Sequence, residues 1–191
     1  MELSLSDVNE ADRGILAPCG IICAGCDWHT YESGEAAEKI IRIWEEHNLA
    51  DVAFLKGLSS EEVLNTIDAL KKYVGSGSCP GCFLKQGGFI CSIGKCVKAK
   101  GYWTCAECEE YMPGTTHPCS HTEDDSNPMI PSRHESSAIV CKRYNSNPVE
   151  NLKKCRKIGY PAFIEEIKEK VEKGWRTWQV ISNEMVVSTQ A

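Results

Sequence analysis

A chain of 191 residues with twelve cysteines, 27 acidic against 21 basic side chains and a net charge of -6 is long enough for one domain of ordinary size. The acidic balance speaks against a general affinity for phosphate backbone, because nucleic-acid binders carry a basic surface. No run of the sequence has the length and apolarity to cross a bilayer, and Met1–Arg13 lack the basic start and apolar core of a secretory leader.

The sequence therefore reads as cytoplasmic with no membrane contact, and in a reducing compartment twelve cysteines point to metal ligands in preference to disulfides. Hydrophobic residues make up 42% of the chain with the cysteines counted, so ligated thiolates are expected to carry stability that a modest core does not. A structural zinc site contributes roughly 10–16 kcal/mol of apparent binding free energy, comparable with the whole stability of a domain.

Residues 1–14 form a lead-in with no defined element. In Ile15–Cys26 three thiols, Cys19, Cys23 and Cys26, come close together, with Gly20 and Gly25 letting the backbone fold around a shared centre. From Glu35 to His47 the residues Ala37, Ile40, Ile41 and Trp44 recur at helical spacing, and Trp44 reads as core packing on that stripe. A second helix runs from Ser60 to Val74. It opens on the Ser59-x-x-Glu62 capping pattern, turns Val63, Ile67 and Leu70 inward and stops at Gly75. The two make an antiparallel hairpin over residues 35–75.

Ser76–Ser78 leads into Cys79-Pro80-Gly81-Cys82, where a Pro-Gly turn folds two thiols toward one point, the logic of a zinc knuckle. Cys91-x4-Cys96 lies in a run, Ile90–Lys100, that predicts one or two helical turns. A spacing of five sets side chains roughly 140° apart on a regular helix, so this pair serves two metals or the helix begins after Cys91. Cys105-Ala106-Glu107-Cys108 is a second Cys-x-x-Cys, and His117-Pro118-Cys119-Ser120-His121 adds Cys119, with the two histidines as alternative ligands. Seven cysteines thus fall within 41 residues. The basic groups Lys95, Lys98 and Lys100, and later Lys153, Lys154, Arg156 and Lys157, read as solvated helix surface.

Residues 120–146 are a polar loop in which Asp124 and Asp125 are solvated. Asn147-Pro148 starts a helix that carries Leu152, Cys155 and Ile158 to Gly159, making Cys155 a buried core thiol. Another helix, Pro161–Lys173, buries Phe163, Ile164, Ile167 and Val171. Trp175–Ser188, with Trp178, Val180, Ile181, Val186 and Val187, predicts one or two short strands around an Asn183 turn. The expected fold class is α+β, small and irregular. A cysteine-rich metal-binding domain over residues 15–119 holds the helical hairpin, and residues 147–191 pack on it as C-terminal helices and a short strand segment.

Cys19-Gly20-x-x-Cys23-x-x-Cys26, Cys79-x-Gly81-Cys82, Cys91-x-Ile93-x-x-Cys96, Lys100-Gly101 and Cys105-x-x-Cys108 follow one another in a familiar order. In order and spacing the chain resembles the bacterial and archaeal cysteine-rich proteins grouped as domain of unknown function 3795. The likeness spans residues 15 to 119 and extends to the helix Asn151–Gly159. That family closes with an aromatic-Pro-Cys unit, whereas here Met112–His117 separate Tyr111 from Pro118-Cys119. The resemblance implies metal binding and a prokaryotic cytoplasmic setting, and it brings no activity with it.

The residues point to a zinc-binding structural or interaction module with four-thiolate sites drawn from Cys19, Cys23, Cys26, Cys79, Cys82, Cys91, Cys96, Cys105, Cys108 and Cys119. Ten thiols fill two such sites with two left over, or two sites sharing bridging sulfurs; all twelve cysteines fill three. A closed four-thiolate site leaves no position for a reacting water, and no phosphate loop, dinucleotide fingerprint or serine elbow is present, so the reading leans away from an enzyme. The alternative is an iron–sulfur protein, because Cys19-x3-Cys23-x2-Cys26 has the spacing by which radical enzymes hold a cluster. A helical hairpin follows it instead of barrel units. A surplus thiol, Cys119 or Cys141, is a third candidate as nucleophile or redox switch. A protein partner is left open.

Overall fold

Two of the helices begin where a side chain satisfies their first amides. The computed structural model describes residues 2–85, 92–111 and 147–180, and the chain divides into two units, Thr30–Cys79 and the pair Met1–His29 with Pro80–Ala191. In the first of these, helix α1 spans Glu32–Glu46 and helix α2 spans Ser60–Gly75. The Glu62 amide donates to the Ser59 hydroxyl at 3.2 Å and the Ser59 amide to the Glu62 carboxylate at 2.8 Å, the reciprocal cap that the sequence predicts.

Ile41 of α1 packs with Val63 and Ile67 of α2 and with Ala53 from the 3-10 turn Ala53–Lys56. Trp44 and Leu70 are half-buried at the edge of this cluster. Ile40, expected on the apolar face, is exposed. The buried stripe of α1 runs through Ala37 and Ile41 and is too narrow to take in the neighbouring position. Tyr31, at φ 64, precedes α1 and lays its ring on Gly34, where a Cβ would stand 2.2 Å from the ring. Its hydroxyl donates to the Val74 carbonyl at 3.0 Å and ties the first turn of α1 to the last turn of α2.

In the other unit, helix α3 spans Ser92–Ala99, α4 spans Pro148–Ile158 and α5 spans Tyr160–Glu172. The Asn147 side-chain oxygen accepts from the Glu150 amide at 3.3 Å, with Pro148 at the first helical position, as the Asn-Pro pair predicts. One core takes Leu16 and Ile22 from the N-terminal segment, Ile93 and Val97 from α3, and Trp103 and Tyr111 from the cysteine stretch. It is completed by Leu152 of α4 and by Tyr160, Phe163, Ile164 and Ile167 of α5. Trp103 meets Tyr160 edge-on, with ring centroids 4.7 Å apart, and its indole N–H donates to the Arg13 carbonyl at 3.1 Å.

The α+β expectation is overturned. The described residues are helices and turns, and their β structure is one isolated antiparallel bridge between Leu16 and Ile22. Thr177–Val180, inside the segment expected as strands, forms a 3-10 turn. The start of this segment is held by Gly25, which both Trp175 and Thr177 face. The Trp175 ring lies where a Gly25 Cβ would stand, and the Thr177 hydroxyl donates to the Gly25 carbonyl at 3.3 Å. Residues 181–188 of the expected strand segment and the polar loop 120–146 lie outside the described residues. Among the described residues no helix is long and apolar enough to cross a membrane.

Candidate metal centre

Two short turns carry cysteines at their ends and are built alike. Cys23–Gly25 is a 3-10 turn closed by the Cys26 amide donating to the Cys23 carbonyl at 2.8 Å. Cys105–Glu107 is another, closed by the Cys108 amide on the Cys105 carbonyl at 3.2 Å. Each sets its two cysteines one turn apart, the spacing at which positions on a 3-10 helix eclipse. The second turn is also joined to the Cys19 loop: the Cys105 amide donates to the Pro18 carbonyl, next to Cys19, at 2.9 Å. Cys19 itself sits in a loop held by the Leu16–Ile22 bridge. There the Ala17 amide donates to the Ile21 carbonyl at 2.8 Å and the Gly20 amide donates to the Ala17 carbonyl at 2.9 Å.

The Pro80-Gly81-Cys82 turn reaches the same place by direct backbone contact. Gly81 has φ 94, and a Cβ there would stand 2.2 Å from the Gly14 carbonyl oxygen; a Cβ on Gly14 would stand 2.5 Å from the Pro80 oxygen. Two glycines facing each other let the chains close to a distance that no other residue pair permits. The close approach sets Cys82 beside Cys23, near enough for each thiol to shift the other's titration, and the Cys23 thiol lies 3.9 Å from the Ile21 carbonyl, to which it donates. Cys82 is exposed as a residue, yet its sulfur is engaged with that of buried Cys23.

The two thiols titrate apart. Cys82 is lowered to about 7, chiefly by the neighbouring Cys23 thiol, then by the Lys85 charge, with desolvation opposing. Cys23 is raised well above its ordinary value by that same pairing, then by burial and by repulsion from Cys82 and Cys19. The thiolate is thus favoured on Cys82 over Cys23. A thiophilic cation binds by displacing a thiol proton.

At the second turn, Lys100 donates to the Cys108 sulfur at 3.6 Å and pairs with Glu110 at 3.4 Å. Thr104 and Glu107 form a reciprocal cap over the turn, the Thr104 hydroxyl accepting from the Ala106 amide at 3.0 Å and the Glu107 carboxylate from the Thr104 amide at 3.2 Å. Arg156 of α4 donates to the carbonyls of Ala106, Cys108 and Tyr111 at 2.8, 2.6 and 2.8 Å. The Tyr160 hydroxyl, at the start of α5, donates to the Glu107 carboxylate at 2.8 Å and meets the Thr104 hydroxyl at 2.8 Å.

Of the ten cysteines expected as ligands, Cys23 and Cys82 are brought into contact, with Cys19 close enough to act on Cys23 electrostatically. Cys105 and Cys108 are buried, Cys26 and Cys96 half-buried; Cys79 is half-buried at the end of the unit Thr30–Cys79. Cys91 and Cys119 lie outside the described residues, as do His117, His121 and Cys141. No disulfide joins any two of the nine described cysteines. Cys155 belongs to the core, as its helical position predicts, and burial pushes it up to about 12.

Among the described residues no three Cys, His, Asp or Glu side chains converge in a form that could hold a metal ion. In kind, the donors suit a soft cation such as zinc and not calcium or magnesium, which take oxygen; Cys23 and Cys82 are the ones that would hold it. The sequence reading missed Asn151, Arg156, Tyr160 and Thr177. By sequence Arg156 reads as solvated surface, whereas it is half-buried on three carbonyls. One signal was available, the Thr104-x-x-Glu107 capping pattern across the cysteine pair.

Compared with known proteins, residues 15–124 match the model of a family described as Protein of unknown function (DUF3795). No curated protein and no solved structure matches the chain.

Proposed function

The chain belongs to the family described as Protein of unknown function (DUF3795), whose model spans more than half of it, and from that premise we propose that it is a zinc-binding protein, a structural or interaction module with thiolate sites. The observation that carries the reading is the close backbone approach of Gly14 and Gly81, which sets Cys82 beside Cys23. Cysteines far apart in sequence are brought together by a glycine-to-glycine backbone contact. Zinc prefers four tetrahedral donors, and thiolates are its usual structural ligands. In this reading Cys23 and Cys82 supply two of them and further cysteines of the set named above complete each site. A reducing, cytoplasmic setting keeps these thiols available.

The test is elemental analysis of protein purified without oxygen or chelators. Stoichiometric zinc in a colourless solution, falling in Cys23→Ser and Cys82→Ser variants that keep their helical circular dichroism, is the expected result. A brown solution with broad visible absorbance and iron in place of zinc assigns the cysteines to an iron–sulfur cluster and ends the zinc reading.

A further inference from the structure

We infer that the C-terminal segment 147–180, all of which lies beyond the last cysteine expected as a ligand, is the frame that holds the Cys19 loop and the two cysteine turns in place, with Asn151 and Arg156 as its positioning residues. This rests on the zinc reading above. The residues of the frame reach the backbone beside the cysteines and not the sulfurs. The Asn151 side-chain amide donates to the Gly20 carbonyl, one residue past Cys19, at 2.8 Å. Thr177, buried, donates to the Gly25 carbonyl, one residue before Cys26, at 3.3 Å.

On the second turn the grip is closer. Arg156 takes the carbonyls of Ala106 and Cys108 within the Cys-x-x-Cys and that of Tyr111 just past it, while Tyr160 takes the carboxylate of Glu107. Asn151 and Arg156 stand on one helix, α4, so a single rigid element spaces the Cys19 loop from the Cys105–Cys108 turn. The spacing is tight: a Cβ on Gly20 would stand 2.4 Å from the Pro148 carbonyl at the first turn of α4. A planar guanidinium with several donors can bridge three carbonyls at once, and a lysine ammonium on a flexible stem cannot reproduce that geometry. Partners that orient a ligating segment commonly set metal affinity by factors of about 10–100 when removed.

The experiment uses the full-length zinc-loaded chain and follows zinc transfer to a chromophoric chelator at constant pH. Arg156→Lys and Asn151→Ala are each expected to release zinc about 10-fold faster or more than wild type. Val63→Ala, in the core of the unit Thr30–Cys79, lowers stability without touching the frame and is expected to release zinc at the wild-type rate. Thermal unfolding of every variant is recorded beside the release rate. Wild-type release from Arg156→Lys and Asn151→Ala overturns the inference while leaving the zinc reading in place. Equal acceleration in Val63→Ala also overturns it, because the effect then follows general stability. A wild-type chain that carries no zinc removes both.

Discussion

At the scale of single residues, the sharpest contrast is between two cysteines in one unit. Cys82 is lowered to about 7 by the neighbouring Cys23 thiol and by Lys85, whereas Cys155 is pushed up to about 12 by burial. In metal-free protein, alkylation of Cys82 by iodoacetamide is therefore expected to rise with pH through a midpoint near 7, below the ~8.5 of an ordinary cysteine. Cys23→Ala, which removes that neighbouring thiol, moves that midpoint upward; an unchanged midpoint in this variant refutes the pairing. Peptide mass spectrometry against pH reads both, with Cys155 unlabelled. Cys155 also makes a linkage prediction of definite sign. The folded chain keeps it as a thiol to about pH 12, while the unfolded chain ionises it near 9.0. Stability from this group is complete below about pH 8 and is lost as pH rises from there toward 12, by up to ~1.4 kcal/mol per unit. Denaturant midpoints at pH 8 and pH 10 are expected to differ less in Cys155→Ala than in wild type.

At the scale of elements, the turn at Gly81 sets whether Cys82 can reach Cys23. Gly81→Ala meets both a φ of 94 and the Gly14 carbonyl at 2.2 Å, so it is expected to cost about 1–3 kcal/mol and to abolish the Cys23–Cys82 contact. Gly57→Ala is the matched control. Its φ is 71 but nothing stands within 4 Å of the new Cβ, so it brings only the ~1–2 kcal/mol of left-handed strain and retains zinc. Zinc content and urea midpoints of the two variants separate these outcomes. The same scale shows why parts of the molecule could be read from sequence. The Ser59/Glu62 cap and the Asn147-Pro148 start are satisfied within a few residues, so α2 and α4 were legible. Cys155 was legible too, from helical period alone. The strand expected within Trp175–Ser188 failed because Thr177 faces inward toward a carbonyl 152 positions away. Arg156 was misread for a related reason: its neighbours Lys153 and Lys154 are exposed, and its own carbonyl partners come from a separate turn.

At the scale of the whole molecule, the boundary of the family match and the boundary of the folded unit differ. The match ends at residue 124, but Leu152, Tyr160, Phe163, Ile164 and Ile167 lie in the same core as Leu16, Ile22 and Trp103. Burying five such side chains contributes on the order of 10 kcal/mol, the size of a domain's whole stability. A chain ended after residue 146 is therefore expected to bind hydrophobic dye and to lose cooperative unfolding, whereas the full chain does neither. For the full chain, stripping zinc present at about 100 times its dissociation constant is expected to lower the melting temperature by roughly 5–10 °C. Calorimetry before and after chelation measures it, and an unchanged transition contradicts a structural role for the metal. The Thr177–Gly25 hydrogen bond has a further consequence, for synthesis. A ribosome adding about 5–20 residues per second makes Thr177 roughly 8–30 s after Gly25. For most of that interval the first cysteine turn stands without the segment that holds it, so its nascent thiols are open to metal and oxidant alike before the finished chain closes over them.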